Sequence, residues 1–166
     1  MRHYSLLLAV LLCGGCATRP DSGLTVFDYN GAAGYGRRIE FDGTALQVVT
    51  TSDFEGQEDK RIWRRELTKA ERAFLSERVE KTSRQVLKPE YRDPDVWDGL
   101  QIHFELRPAG RTARGISVAN QFVEELAVLT DSLNVLLPPD HHVRYREWKE
   151  AMERLDEEAR DGRPRE

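Results

Sequence analysis

The stretch Leu100-Gln101-Ile102-His103-Phe104-Glu105-Leu106-Arg107 decides the fold. Leu100, Ile102, Phe104 and Leu106 alternate with Gln101, His103, Glu105 and Arg107, the period of a β-strand that buries one face and wets the other. Antiparallel sheets are the sheets that leave one face in water. Behind it, Arg107-Pro108-Ala109-Gly110-Arg111 is turn-like, so Thr112 to Val118 is predicted to return as the antiparallel partner. Asn120 is then placed to cap a helix in which Phe122, Leu126, Leu129, Leu133 and Leu136 recur at steps of four and three. Pro138-Pro139 ends that helix.

The same order of elements is predicted upstream. Arg37 to Phe41 and Ala45 to Thr51 are rich in β-formers and flank Asp42-Gly43, two residues that tolerate the positive φ of a type I′ turn. Arg61 to Arg65 reads as a third strand after the acidic loop Asp53 to Lys60, with Arg61, Arg64 and Arg65 on a solvated face. Thr68-Lys69-Ala70-Glu71 is a capping box, in which Thr and Glu each satisfy an orphan backbone N–H. The helix it opens carries Ala70, Phe74, Leu75, Val79 and Thr82 as its apolar side. Residues 24–29 read as a short strand suited to a sheet edge, followed by the glycine-rich loop Asn30 to Gly36. That loop is no phosphate cradle, because a strand follows where a helix N-terminus is needed. A last helix is predicted from about Val143 to Ala159, with Trp148, Met152, Leu155 and Ala159 along one side, for docking on the domain or on a partner.

Hairpin–helix, hairpin–helix implies an α+β domain: an antiparallel sheet from two hairpin–helix units with helices on one face, plus a C-terminal helix. The predicted organisation is a leader over 1–15, a tether over 16–23, the α+β domain over 24–137, the amphipathic helix over 138–160 and a frayed tail over 161–166.

The leader has an address. Arg2 and His3 precede the apolar run Leu6 to Leu12, then come Gly14, Gly15 and Cys16. A charged start, an apolar run of roughly 7–15 residues and a small-residue exit describe a secretory signal peptide. The run is short of the roughly 20 residues a spanning helix needs. Cys13-Gly14-Gly15-Cys16 resembles the lipobox of bacterial lipoproteins, with Cys13 standing where Leu is usual. The resemblance implies cleavage before Cys16, a diacylglycerol on its sulfur, a further acyl chain on its nitrogen (palmitate among the acids carried), and anchorage to an envelope membrane. By resemblance to enteric lipoproteins, Ala17 after the anchor implies the outer rather than the inner membrane. Residues 24–137 also resemble small hairpin–helix–hairpin–helix domains of uncharacterised envelope lipoproteins, on the strength of the Asp-Gly hairpin, the capped helix and the Tyr91 to Asp98-Gly99 stretch. That likeness implies a fold and no activity.

Composition narrows the chemistry. Of 166 residues, the two cysteines are Cys13 and Cys16, so cleavage and acylation leave no thiol for a disulfide, a nucleophile or a thiolate metal site. Removing residues 1–15 takes away Arg2 alone among the charged residues and moves the formal charge from −4 to −5, against a nucleic-acid partner. The densest polar cluster is Asp93-Pro94-Asp95-Val96-Trp97-Asp98-Gly99. Read as an EF-hand it puts Asp98 where Gly is required and Phe104 where the bidentate Glu belongs, so it fails. A looser ligand site from Asp95, Asp98 and His103 is the candidate that remains. His103 and Glu105 share a strand face, and His141-His142 are expected to be exposed. A zinc site would need His103 to meet one of that pair and a carboxylate. No serine stands in a Gly-x-Ser-x-Gly elbow, so no catalytic residue is assigned, and no metal or cofactor. Trp63, Trp97 and Trp148 are the aromatic candidates for an interface. The sequence therefore points to a lipid-anchored binding or structural protein working through an envelope protein partner. A small-molecule or metal binder stands second and a hydrolase third.

Overall fold

The computed structural model describes residues 22–30, 35–52, 60–94 and 99–160. Cys16, Asp95, Trp97 and Asp98 lie outside the described residues, as do the leader, most of the tether and glycine loop, and the tail. The chain is α+β. Its strands are β1 (Gly23–Asn30), β2 (Tyr35–Phe41), β3 (Ala45–Ser52), β4 (Lys60–Glu66), β5 (Glu90–Arg92), β6 (Gln101–Arg107) and β7 (Arg114–Ala119). Its helices are α1 (Lys69–Ser83), α2 (Glu124–Asn134) and α3 (Tyr145–Arg160), with a 3-10 turn at Pro139–His141. Among these, none is long and apolar enough to cross a membrane.

The strands form one sheet in the order β4-β3-β2-β1-β6-β7-β5. Every pairing is antiparallel except β5 with β7. β1 is therefore not an edge strand: it joins the two hairpins, with Val26 opposite Ile39 on one side and Phe104 on the other. Its place is set by partners on both edges rather than by its own sequence: Leu24 and Val26 are fully buried under the helices, and Phe27 and Tyr29 lie on the other face. The three-residue β5 was not foreseen. It is held by its parallel ladder and by Ser117 N–H donating to the Pro89 carbonyl, contacts distant in sequence.

All three helices cover one face. Leu24, Val26, Ile39, Phe41, Leu46, Val48, Ile102, Phe104, Leu106, Ile116 and Val118 meet Leu75 and Val79 of α1 and Leu126, Leu129 and Leu133 of α2 in one core. The α1 cap is as expected: Glu71 N–H donates to Thr68 Oγ1 at 3.3 Å and Thr68 N–H to Glu71 Oε2 at 2.8 Å. The Thr68 N–H, with the Thr68 hydroxyl and Arg65, holds the Glu71 carboxyl below its ordinary value. Ala70, expected on the apolar side of α1, is exposed. At β4 the register skips Ile62, which stands exposed at a bulge while Trp63 turns toward the core.

Two turns are built differently from the expectation. In the β2–β3 hairpin only Gly43 takes positive φ, at 96°. Asp42 instead accepts Thr44 and Ala45 N–H groups on Oδ1, both at 2.8 Å, and so closes the turn with its side chain. At α2 the cap is Val123, which has no capping side chain, while Asn120 sits upstream with φ 55°. The missing cap comes from α3. Val123 N–H donates at 2.7 Å to the Tyr145 hydroxyl, which donates at 2.9 Å to the Gln121 carbonyl. Tyr145 is fully buried, and burial pushes its hydroxyl pKa up to about 12.

Arg146 finishes the docking of α3, bonding Asp131 through Nε (3.0 Å) and Nη2 (2.9 Å) and Glu124 through Nη2 (3.0 Å). The helix thus divides. Trp148 is half-buried beside Tyr145, whereas Met152 and Leu155 are exposed.

Candidate functional site

The candidate site lies on the face of the sheet opposite the three described helices. Alternation along β1, β6 and β7 sends Phe27 and Tyr29, Gln101 and His103, and Ser117 to this side, and the register sets Phe27 beside His103 and His103 beside Ser117. Together with Glu90 and Arg92 of β5 they line a groove of about 440 Å³. Its floor is aromatic: Phe27 and Tyr29 stack with centroids 6.1 Å apart and planes 14° from parallel. Its rim is polar, since Glu90, Arg92, Gln101, His103 and Ser117 are all exposed.

His103 is held rather than free to swing. Its Nδ1 lies 3.0 Å from Ser117 Oγ. Its ring also lies over Gly115, where an added Cβ would come within 3.3 Å of Cε1. A glycine two residues before Ser117 therefore makes room for the imidazole. The pair can donate and accept hydrogen bonds at the rim. Among the described residues, Ser117 is the hydrogen-bond partner found for His103.

Of the residues singled out from sequence, His103 is in the groove, and Cys16, Asp95 and Asp98 lie outside the described residues. The ends of the loop that holds Asp95 and Asp98 are fixed at the top of β7: Asp93 N–H donates to the Ala119 carbonyl and Asn120 N–H to the Leu100 carbonyl. His141 and His142 are half-buried rather than exposed, and they sit on the helical side, His141 against Trp63 and His142 Nε2 at 3.2 Å from the Leu137 carbonyl. They do not converge with His103. Among the described residues, no three His, Cys, Asp or Glu side chains are grouped to hold a metal ion. Trp63 and Trp148 pack against the core.

Phe27, Tyr29, Glu90 and Arg92 were missed. The signal available for the first two is that apolar residues in Leu24 to Tyr29 occupy both parities, the mark of a strand with two apolar faces. For Glu90 and Arg92 nothing local marks the strand. No protein-family model and no curated protein matches the chain.

Proposed function

We propose that the protein is a lipid-anchored binding protein of the bacterial envelope, acylated on Cys16, that receives a segment of a partner protein on the face of its sheet opposite the described helices. The leader and its lipobox-like end support the anchor, and Ala17 favours the outer membrane. The observation that carries the binding role is the Phe27–Tyr29 stack, left at the surface inside a rim of Glu90, Arg92, Gln101, His103 and Ser117. Aromatic residues and arginine dominate the energetics of protein interfaces because they bury large area while keeping a polar handle. A small ligand is the second reading, favoured by a groove volume within the range of roughly 300–1,000 Å³ typical of such sites. A one-sided groove suits a protein surface better, since small-molecule sites cover most of their ligand. Hydrolysis ranks last, because the described residues bring no carboxylate to orient the His103 imidazole beside Ser117.

The test is capture from crosslinked native membranes with the intact chain and with a Phe27→Ser, Tyr29→Ser variant run in parallel. A stoichiometric partner lost in the variant, with the fold and Cys16 acylation unchanged, supports the reading. A partner retained by the variant moves the interface elsewhere. Stabilisation of the intact chain by a small molecule, absent in the variant, would favour the second reading.

A further inference from the structure

We infer that the end of the domain at which the chain enters lies against the membrane and touches anionic phospholipid headgroups through Arg84, Arg107 and Arg111. The inference rests on the lipid-anchor reading and adds an orientation and a second membrane contact to it.

The entry point is fixed. Ser22 is buried, and its hydroxyl lies 3.2 Å from Glu80 Oε1, which also accepts the Ala109 N–H at 2.7 Å. Strand β1, helix α1 and the β6–β7 turn are thereby tied together where the tether ends. From Cys16 to Ser22 is six residues, and an extended chain advances at most about 3.6 Å per residue, so Ser22 stays within about 22 Å of the acylated cysteine.

Arginines surround that point. Arg107 stands opposite Gly23, and its guanidinium lies across the glycine, Nε being 2.8 Å from where a Cβ would be. Arg111 and Arg84 both reach Glu80 Oε2 from the outside, Arg84 at 3.7 Å, and their side chains are 43% and 72% exposed. Arg114 turns inward to the Gln85 and Leu87 carbonyls. Against these four stand Glu80, its oxygens already engaged, and Glu105, paired with Arg107 at 3.5 Å. Among the described residues, Asp42 is satisfied by its own turn, Glu66 by Arg64, and Glu71 by Thr68 and Arg65, while exposed Glu77, one turn before Glu80 on α1, makes three carboxylates against the four arginines. The result is a local positive excess on a protein of negative net charge, at the end held nearest the bilayer. Anionic headgroups attract such clusters within about a Debye length, roughly 8 Å at physiological salt.

The experiment modifies arginines with phenylglyoxal on the full-length mature protein in vesicles of neutral lipid alone or with about one-third anionic phosphatidylglycerol. Each arginine, and the acylation of the Cys16 peptide, is read by mass spectrometry. Arg84, Arg107 and Arg111 are expected to react about threefold more slowly on anionic vesicles and to recover in about 0.5 M salt, with Arg92 unchanged. Equal rates on the two vesicles, or equal protection of Arg92, overturn the contact. An unacylated Cys16 peptide overturns the anchor instead. Coupling that thiol to a maleimide lipid then restores the tether, and the arginine rates decide the contact on their own.

Discussion

At the scale of single residues, Tyr145 and Glu80 do the most joining. Tyr145 brings α3 into the core and also satisfies the first turn of α2. Replacing it by Phe keeps the ring and leaves the Val123 N–H and Gln121 carbonyl without their partner, so Tyr145→Phe should cost about 1–3 kcal/mol in urea unfolding. Its raised pKa has a sign. The folded state holds this proton more tightly than the unfolded chain, so the contribution is complete below pH 10 and is lost as pH rises toward about 12. The alkaline unfolding midpoint of the wild type should therefore show a stability decrease over that interval that Tyr145→Phe lacks. At Gly99, φ is 137° and an added Cβ would fall 2.4 Å from Asn120 Oδ1. Gly99→Ala should lower stability by about 1 kcal/mol or more, read by thermal melting.

At the scale of elements, what could be read in advance depended on whether the determining contacts were local. The β6 alternation, the capping box at Thr68 and Glu71 and the Leu126, Leu129, Leu133 stripe are local patterns, and each lies where the sequence puts it. β5 and the central place of β1 are set by partners far along the chain, and the α2 cap is supplied by a tyrosine more than twenty residues downstream, so no window around Asn120 could reveal it. The site divides the same way. His103 followed from alternation, but the aromatic floor depends on β1 lying beside β6. Two predictions belong here. Thr68→Ala should cost about 1 kcal/mol of stability in urea unfolding. In α3, Trp148→Ala should destabilise by about 2 kcal/mol, because the indole packs on the core, while Leu155→Ser should stay within about 0.5 kcal/mol, because its side chain is about half exposed and outside the core.

At the scale of the whole molecule, the sheet divides the described residues into a helical side that supplies the core and an opposite side that holds the groove. Ion pairs staple the periphery. Hydrogen bonds from Thr68 hold Glu71 low, and that from Arg146 holds Glu124 low. At Glu80 burial pushes upward, but the Ala109 N–H, Arg111 and Ser22 outweigh it and the net direction is down. Folded pKa values below the ordinary 4.5 mean stability that is present above that pH and is lost as pH falls through the lowered values. The wild-type acid limb should accordingly move to higher pH in Glu80→Gln, which removes the charge that ties Ser22, Arg111 and the β6–β7 turn together.

The most direct test of the central claim is a photo-crosslinking residue placed in the native envelope at Phe27, on the groove floor, and for comparison at Val86, which is fully exposed on the link after α1. One discrete adduct with a partner protein is expected from Phe27, none from Val86, and loss of the adduct with Arg92→Ala in the same chain. Identical adducts from both positions, or none from Phe27 while the acylated protein is present and folded, would contradict the claim.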